Sequence, residues 1–184
     1  MSAAKKADSV YVGRALPSEL HVVLHGMPQR FFEDSPFLLH IQVARLISEG
    51  RFLIAQRGTQ LLGGVAWQDD IAFGALYAKL LFVKDELQFA PIAARLMREL
   101  IAIGKEQEAR AIFADVPEHS PLLKALDAVP GSREVGYIED FCEPNVKSIM
   151  VQFDLSQSAR LIRHAERMIV ERGENAEIGA ADEH

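Results

Sequence analysis

Cysteine is almost absent: Cys142 is the only one in 184 residues. An internal disulfide and a cysteine-based metal framework are thereby excluded, and the lone thiol reads as a small, half-buried hydrophobe. Positive charge is in deficit, with 20 Lys and Arg against 26 Asp and Glu and a formal net charge of −6. Proteins that grip nucleic acid generally carry a basic field, so nucleic acid is not an expected partner. An anionic ligand could still be held locally, by backbone N–H groups at a helix start. No apolar run approaches the ~18 residues that would cross a membrane. None follows Lys5 and Lys6 either, so neither a membrane span nor a secretory signal is expected, and the cytoplasm is the default location. Internal repeats and interdomain linkers are also missing.

What is present is an ordinary globular composition, 49% hydrophobic and 25% charged, in a chain long enough for one domain with a sizeable core. Residues 1–9 read as a loose tail. Residues 20–24 are a short apolar run closed by Gly26, expected as a strand that puts His21 and His25 on one side. Two histidines without a third ligand make a poor metal site, so no metal is expected. Pro28 and Asp34-Ser35-Pro36 flank a helical region. From 37 to 47, Leu38, Ile41, Ala44, Leu46 and Ile47 recur at near-helical spacing, and Glu49-Gly50 supplies a stop.

Three apolar segments follow at 52–55, 61–67 and 71–83, separated by Arg57-Gly58-Thr59-Gln60 and by Asp69-Asp70. They read as strands of an antiparallel meander joined by short turns. Gly63-Gly64 marks a bulge or a close backbone approach. Residues 88–104 carry the clearest helical pattern, with Phe89, Ile92, Ala93, Leu96, Met97, Leu100 and Ile101 on one side. Pro91 fits the first turn of that helix, and Gly104 is expected to end it. A strand at 111–116, a helix at 121–129 capped by Ser120 and two strands at 134–141 and 146–155 complete the domain. Ser156 opens a terminal helix to 172, whose Arg160, Arg163, Arg167 and Arg172 lie opposite a stripe of Leu161, Ile162, Met168 and Ile169. It is expected to pack on its own domain or on a second copy, as in a homodimer. The small, acidic residues 173–184 are expected to be disordered.

The order strand, helix, three strands, helix, strand, helix, two strands, over roughly residues 18–155, resembles the GCN5-related N-acetyltransferase (GNAT) fold. The resemblance implies an α/β (α+β) domain over residues 10–155, with a mixed, mostly antiparallel central sheet flanked by helices and an extra C-terminal helix. Its most suggestive piece is the run from Leu81-Phe82-Val83 through Gln88-Phe89-Ala90-Pro91-Ile92-Ala93 to Leu96. In the family a strand ends there, and an Arg/Gln-x-x-Gly-x-Gly/Ala sequence opens a helix whose backbone N–H groups hold the pyrophosphate of acyl-CoA. Gln88 and Ala93 agree with that pattern, and Pro91 replaces its first glycine. Proline has no N–H, so one charge-assisted bond is lost, worth ~1.5–3 kcal/mol of affinity. Downstream, Val116, Ser120, Asp127, Gly131 and Ser132 take the places of the family's Val, Asn, Tyr, Gly and Phe. The tyrosine usually protonates the CoA thiolate, whereas an aspartate is ionised at neutral pH unless burial keeps its proton. Val135-Gly136-Tyr137 resembles the start of the family's sixth strand.

The resemblance implies direct attack of an amine, from a small molecule or a peptide, on the thioester of acetyl-CoA or another acyl-CoA. Leu81, Phe82 and Val83 would supply oxyanion and cofactor contacts from the backbone. Gln88, Phe89, Ala90, Ile92, Ala93 and Ser120 would line the rest of the cofactor site. Glu33 and Asp34 are candidates for the general base, and Tyr77 for an acid or a substrate-orienting group. Each has a plainer reading: a solvated helix start for the two acids, a core or surface tyrosine for the third. Lys79 is odd inside an apolar strand, and either reaches solvent or pairs with an acid. His119 lies near the expected cofactor, with a loop histidine of no special role as its plainer reading. Two rivals remain: a GNAT-like module without catalysis, binding a ligand or a protein, favoured by Pro91 and Asp127; and an unrelated α/β structural protein.

Overall fold

The structure, a computed structural model, describes residues 9–28, 36–70, 74–84, 89–139 and 145–155, apart from the side chains of Pro36, Phe37 and Phe89. Apolar segments rich in β-branched and aromatic residues form strands. They are β1 (Tyr11–Arg14), β2 (Phe52–Arg57), β3 (Gln60–Asp70), β4 (Ala75–Val83), β5 (Ala111–Pro117), β6 (Ser132–Glu139) and β7 (Lys147–Asp154). They make one sheet in the order β1-β2-β3-β4-β5-β7-β6. Every neighbouring pair is antiparallel except β4 and β5, which run parallel. A parallel pair needs a long crossover, and the helix α3 (Phe89–Glu106) supplies it.

The sheet buries two cores. On one face α3 and a short helix α4 (Pro121–Asp127) cover Leu53, Val65, Trp67, Leu76, Ala78, Ile112, Ala114, Val151 and Phe153. On the other, α1 (Leu20–Gly26) and α2 (Pro36–Ser48) cover Phe52, Ile54, Leu61, Ala66 and Phe82. The helix stripes explain this division. Ile92, Ala93, Leu96, Met97, Leu100 and Ile103 of α3 are all buried, while Arg95, Arg98 and Glu99 are exposed.

Several sequence expectations are corrected. Residues 20–24 are not a strand but part of α1, and the first strand is β1 at the sheet edge. Val22 and Val23 favour strands locally, but the helix entry is fixed around Pro17–Glu19, a 3-10 turn. There the Leu16 N–H donates to Glu19 Oε2 at 2.8 Å and Gln56 Nε2 donates to Glu19 Oε1 at 3.0 Å. Val23 then drops into the core.

Gly104 does not end α3. It lies inside the helix, where an added Cβ would meet Leu155 Cδ1 at 2.8 Å, so it permits close packing on the sheet. The helix instead stops in a Schellman turn with Glu108 at φ +57: Ala109 N–H donates to Gly104 O at 2.8 Å and Glu108 N–H to Lys105 O at 3.1 Å. The expected stop at Gly50 holds. Gly50 sits at φ +67 and Arg51 N–H closes onto Leu46 O at 2.7 Å. Asp69 and Asp70 belong to β3 rather than to a turn, and the described part of the following strand begins at Ala75.

Candidate functional site

The feature that opens a site is a fork between the two parallel strands. Residues Ala75 to Ala78 pair with Ala111 to Ala114, and there the β4–β5 ladder ends. Beyond it β4 stays with β3 as far as Val83, while β5 stays with β7 as far as Pro117. Among the described residues, the edges of β4 and β5 that face each other past Ala78 and Ala114 therefore have no strand partner. Buried main-chain donors and acceptors must be satisfied somewhere, so such edges are a template for an extended ligand.

A bulge re-aims β4 inside this fork. Between Gly64↔Phe82 and Ala66↔Lys79 the pairing skips one residue more on β4 than on β3. Leu80 sits there at φ +49, a conformation that costs a branched residue ~1–2 kcal/mol. Such strain persists where the surroundings over-determine it, and it clusters at functional positions. The bulge also reverses the alternation. Leu76 and Ala78 face α3 before it, Leu81 and Val83 face α3 after it, and Phe82 faces α1 and α2. That explains why the segment reads as an unbroken apolar run.

The Gly63-Gly64 pair does both things its sequence suggests. A second pairing shift lies where Ala55↔Gly63 gives way to Gln56↔Leu61. A Cβ on Gly63 would meet Phe82 O at 2.5 Å and Val83 Cα at 3.2 Å, so the end of β4 lies hard against β3.

Just past Val83, Lys84 N–H donates to Leu62 O at 2.8 Å, and α3 begins at Phe89. The first four N–H groups of a helix have no acceptor within it, and the dipole there favours an anion. Phe89 and Ala90 lie in that first turn, together with Pro91, which has no N–H to give. Ile92 and Ala93 send their side chains into the core, so anything they offer a ligand comes from the main chain. Ser120 is the N-cap of α4, its Oγ accepting from Leu122 N–H at 3.2 Å. Asp127 is exposed on the last turn of α4. His119 is exposed and lies 3.6 Å from Glu118 Oε1.

Tyr77 and Lys79 are half-buried on the sheet face opposite α3, and the Lys79 ammonium sits 3.9 Å from the centre of the Tyr77 ring. This cation–π contact explains a lysine in an apolar strand. Glu33, Asp34, Gln88, Cys142 and the segment from 156 to 184 lie outside the described residues. Among the described residues no three His, Cys, Asp or Glu side chains gather as metal ligands, and no helix is long and apolar enough to cross a membrane.

Sequence reasoning missed Asp115. It lies on β5 directly beyond the last β4–β5 pair, and burial raises its pKa above the ordinary 3.8. Both carboxylate oxygens are buried without a hydrogen-bond partner. The available signal was a lone charge inside Ala-Ile-Phe-Ala-Asp-Val, the same oddity that drew notice to Lys79.

Among solved structures, an acetyltransferase of the GNAT family from Bacillus cereus superposes with a TM-score of 0.66 at 16% identity, over 79% of this chain and 97% of its own. The chain has the GNAT fold. The protein yncA of Salmonella typhimurium, solved with its cofactor acetyl-CoA, matches with a TM-score of 0.65 at 10% identity, over 80% of this chain and 95% of its own. The aminoglycoside 6'-N-acetyltransferase of Enterococcus faecium matches with a TM-score of 0.62 at 11% identity, over 79% and 97%. No protein-family model and no curated protein matches the sequence. The GNAT likeness is thus one of backbone: a mostly antiparallel seven-stranded sheet with helices on both faces.

Proposed function

We propose that the chain is an acyl-CoA-dependent N-acyltransferase acting on a small-molecule or peptide amine in the cytoplasm. The observation that carries this reading is the fork past Ala78 and Ala114 with α3 starting beside it. An acyl-CoA is a long, thin ligand with an anionic pyrophosphate at one end, amide groups along its arm and a thioester at the tip. The residues fit each part. The main-chain amides of the first turn of α3, around Phe89 and Ala90, match the pyrophosphate. The unpaired edges of β4 and β5 match the amides of the arm. The bulge at Leu80 sits where the strands begin to part, so main-chain N–H groups near Leu81 to Val83 are the donors for an oxyanion. The neighbours solved with acetyl-CoA or CoA support this class of ligand for the fold.

The second reading is a GNAT-like binding module without catalysis. Pro91 and the exposed Asp127 favour it, since they remove one phosphate donor and the family's usual acid. One titration separates the two. At a ligand concentration 100 times its Kd, a native-state binder is stabilised by ~2.7 kcal/mol. Millimolar acetyl-CoA is expected to raise the melting temperature and to give a calorimetric isotherm; no shift and no heat would remove the acyltransferase. Pro91→Gly should restore a donor and tighten acetyl-CoA roughly 10- to 100-fold, from the ~1.5–3 kcal/mol of a charge-assisted hydrogen bond.

A further inference from the structure

Half of one sheet face carries no described helix. Leu76, Ile112, Ala114, Val151 and Phe153 belong to the core under α3 and α4. Strand alternation therefore turns Ala75, Ala111, Asp115, Ser148 and Met150 to the opposite face. There α1 and α2 reach only part of the sheet. Their core takes side chains from β2, β3 and the far end of β4, and none from β5, β6 or β7.

Burial on this open half is nonetheless high. Ala75 and Ala111, paired across β4 and β5, are 6% and 5% exposed and belong to neither core. Ser148 is 0% exposed. Both oxygens of the Asp115 carboxylate and the Ser148 hydroxyl are buried without a hydrogen-bond partner. Asp115 is in register with Met150 and Ser148 with Pro117, so the two orphans are diagonal neighbours. Buried polar groups nearly always find partners. A polar cover would supply them, whereas an apolar cover excludes water and supplies none.

The chain itself provides such a cover. β7 ends at Asp154, and the next residue, Leu155, already has helical backbone, with no linker between. Its N–H donates to Arg110 O at 3.2 Å, so the helix starts where β5 begins and β7 ends, at the edge of the open half. Residues 156–184 follow, and no other stretch outside the described residues exceeds eight. Leu161, Ile162, Ala165, Met168 and Ile169 recur at steps of one and three, the stripe of a helix with one apolar side. The lengths agree as well. A helix from Leu155 to Arg172 is ~27 Å long, and the eight residues of β7 span ~26 Å. Running back along β7, such a helix brings Ala165 level with Met150, and Ile169 toward Ser148.

We propose that residues 156–172 fold back as a helix over the open half of β5 and β7, with the apolar stripe against the sheet, and seal Asp115 and Ser148 from water. Arg160, Arg163 and Arg167 then face solvent. A second copy of the chain is the rival occupant of this face. A helix that begins on the residue after β7 has no slack with which to reach another chain. Asp115 lies one residue past the last β4–β5 pair, so the helix also walls the fork on this side, whatever ligand the fork holds.

The test uses the full chain carrying Cys142→Ser, Met150→Cys and Ala165→Cys, treated with a short bis-maleimide and read by gel and peptide mass spectrometry. Gln152→Cys with Ile162→Cys is the second pair, nearer the start of the helix. A link within one chain is expected. A link between two chains overturns the proposal in favour of the second copy, and no link in either pair overturns it outright. Leu161→Glu and Ile169→Glu should each lower the melting temperature by about 4–8 °C, because a charge enters an apolar contact. Arg163→Glu, on the other side of the helix, should shift it by less than about 2 °C. Stripe variants that melt together with Arg163→Glu place the stripe in water and overturn the proposal. A stripe variant too unstable to purify leaves the decision to the cross-links.

Discussion

Gly63→Ala puts a Cβ 2.5 Å from the Phe82 carbonyl oxygen, 3.2 Å from Val83 Cα and 3.3 Å from Ile92 Cγ2. Two of these three atoms are backbone and cannot swing aside as a side chain would. Phe82 and Val83 are held in register by Gly64 and Gly63, and Lys84 N–H is tied to Leu62 O at 2.8 Å. The added methyl is accommodated only if β3 and β4 part where β4 reaches the fork. Overpacking of a tight core typically costs 1–3 kcal/mol. For a chain of this size each kcal/mol lowers the melting temperature by about 2–4 °C, so the expected drop is about 2–12 °C. Gly136→Ala is the control: nothing lies within 4 Å of its Cβ, and its φ is not positive. There the lower conformational entropy of alanine in the unfolded chain predicts no loss, or a gain of up to ~1 kcal/mol. Both are read by thermal and urea unfolding followed by circular dichroism. A Gly63→Ala protein as stable as wild type, with Gly136→Ala the weaker of the two, would refute the claim that the β4 terminus is pressed onto β3.

Glu108→Gly should stabilise the chain by ~0.5–1 kcal/mol, because Glu108 ends α3 at φ +57, where glycine escapes the left-handed penalty; urea midpoints at equal m-value check it. Ser120→Ala removes the bond from Leu122 N–H and should cost ~1 kcal/mol. Unchanged acetyl-CoA affinity in that variant would make Ser120 a cap alone. The pH dependence of Asp115 has a definite sign. Burial raises its folded pKa above the ordinary 3.8, so in that window the folded state holds the proton more tightly than the unfolded one. Stability is therefore lost as pH rises from 3.8 through the folded pKa. Asp115→Asn should lack that loss: the two proteins should melt alike below pH 3.8, and the variant should be the more stable at neutral pH. Melting curves of both from acid to neutral pH are the measurement, and a wild type that stays the more stable at neutral pH would contradict the orphaned carboxylate.

Much of the fold was legible because burial leaves a period in the sequence. The stripe of Phe89, Ile92, Ala93, Leu96, Met97 and Leu100 announces α3, and Ser120 before Pro121 announces α4 together with the atom that caps it. Short elements were less readable. The seven residues of α1 include two valines, and nothing in the run itself outweighs their strand preference. The carboxylate of Glu19, reaching back to Leu16 and across to Gln56, supplies the helix start. Likewise Gly104 reads as a helix stop, because glycine so often is one, until the nearby Leu155 side chain shows what its missing Cβ makes room for.

The site divides along the same line. The strand-to-helix step near Val83, the proline in the first turn of α3 and the Gly63-Gly64 pair are local features, and the order of residues alone determined them. The fork, the bulge at Leu80 and the diagonal placing of Asp115 and Ser148 on neighbouring strands were decided only by the tertiary structure. Asp115 and Ser148 are far apart in the chain, and no local pattern encodes that β5 and β7 lie side by side. Nor does any local pattern say that β4 leaves β5 at Ala78. That parting arises where the pull of the β3 ladder and the pull of the β7 ladder diverge, which is a property of the assembled sheet.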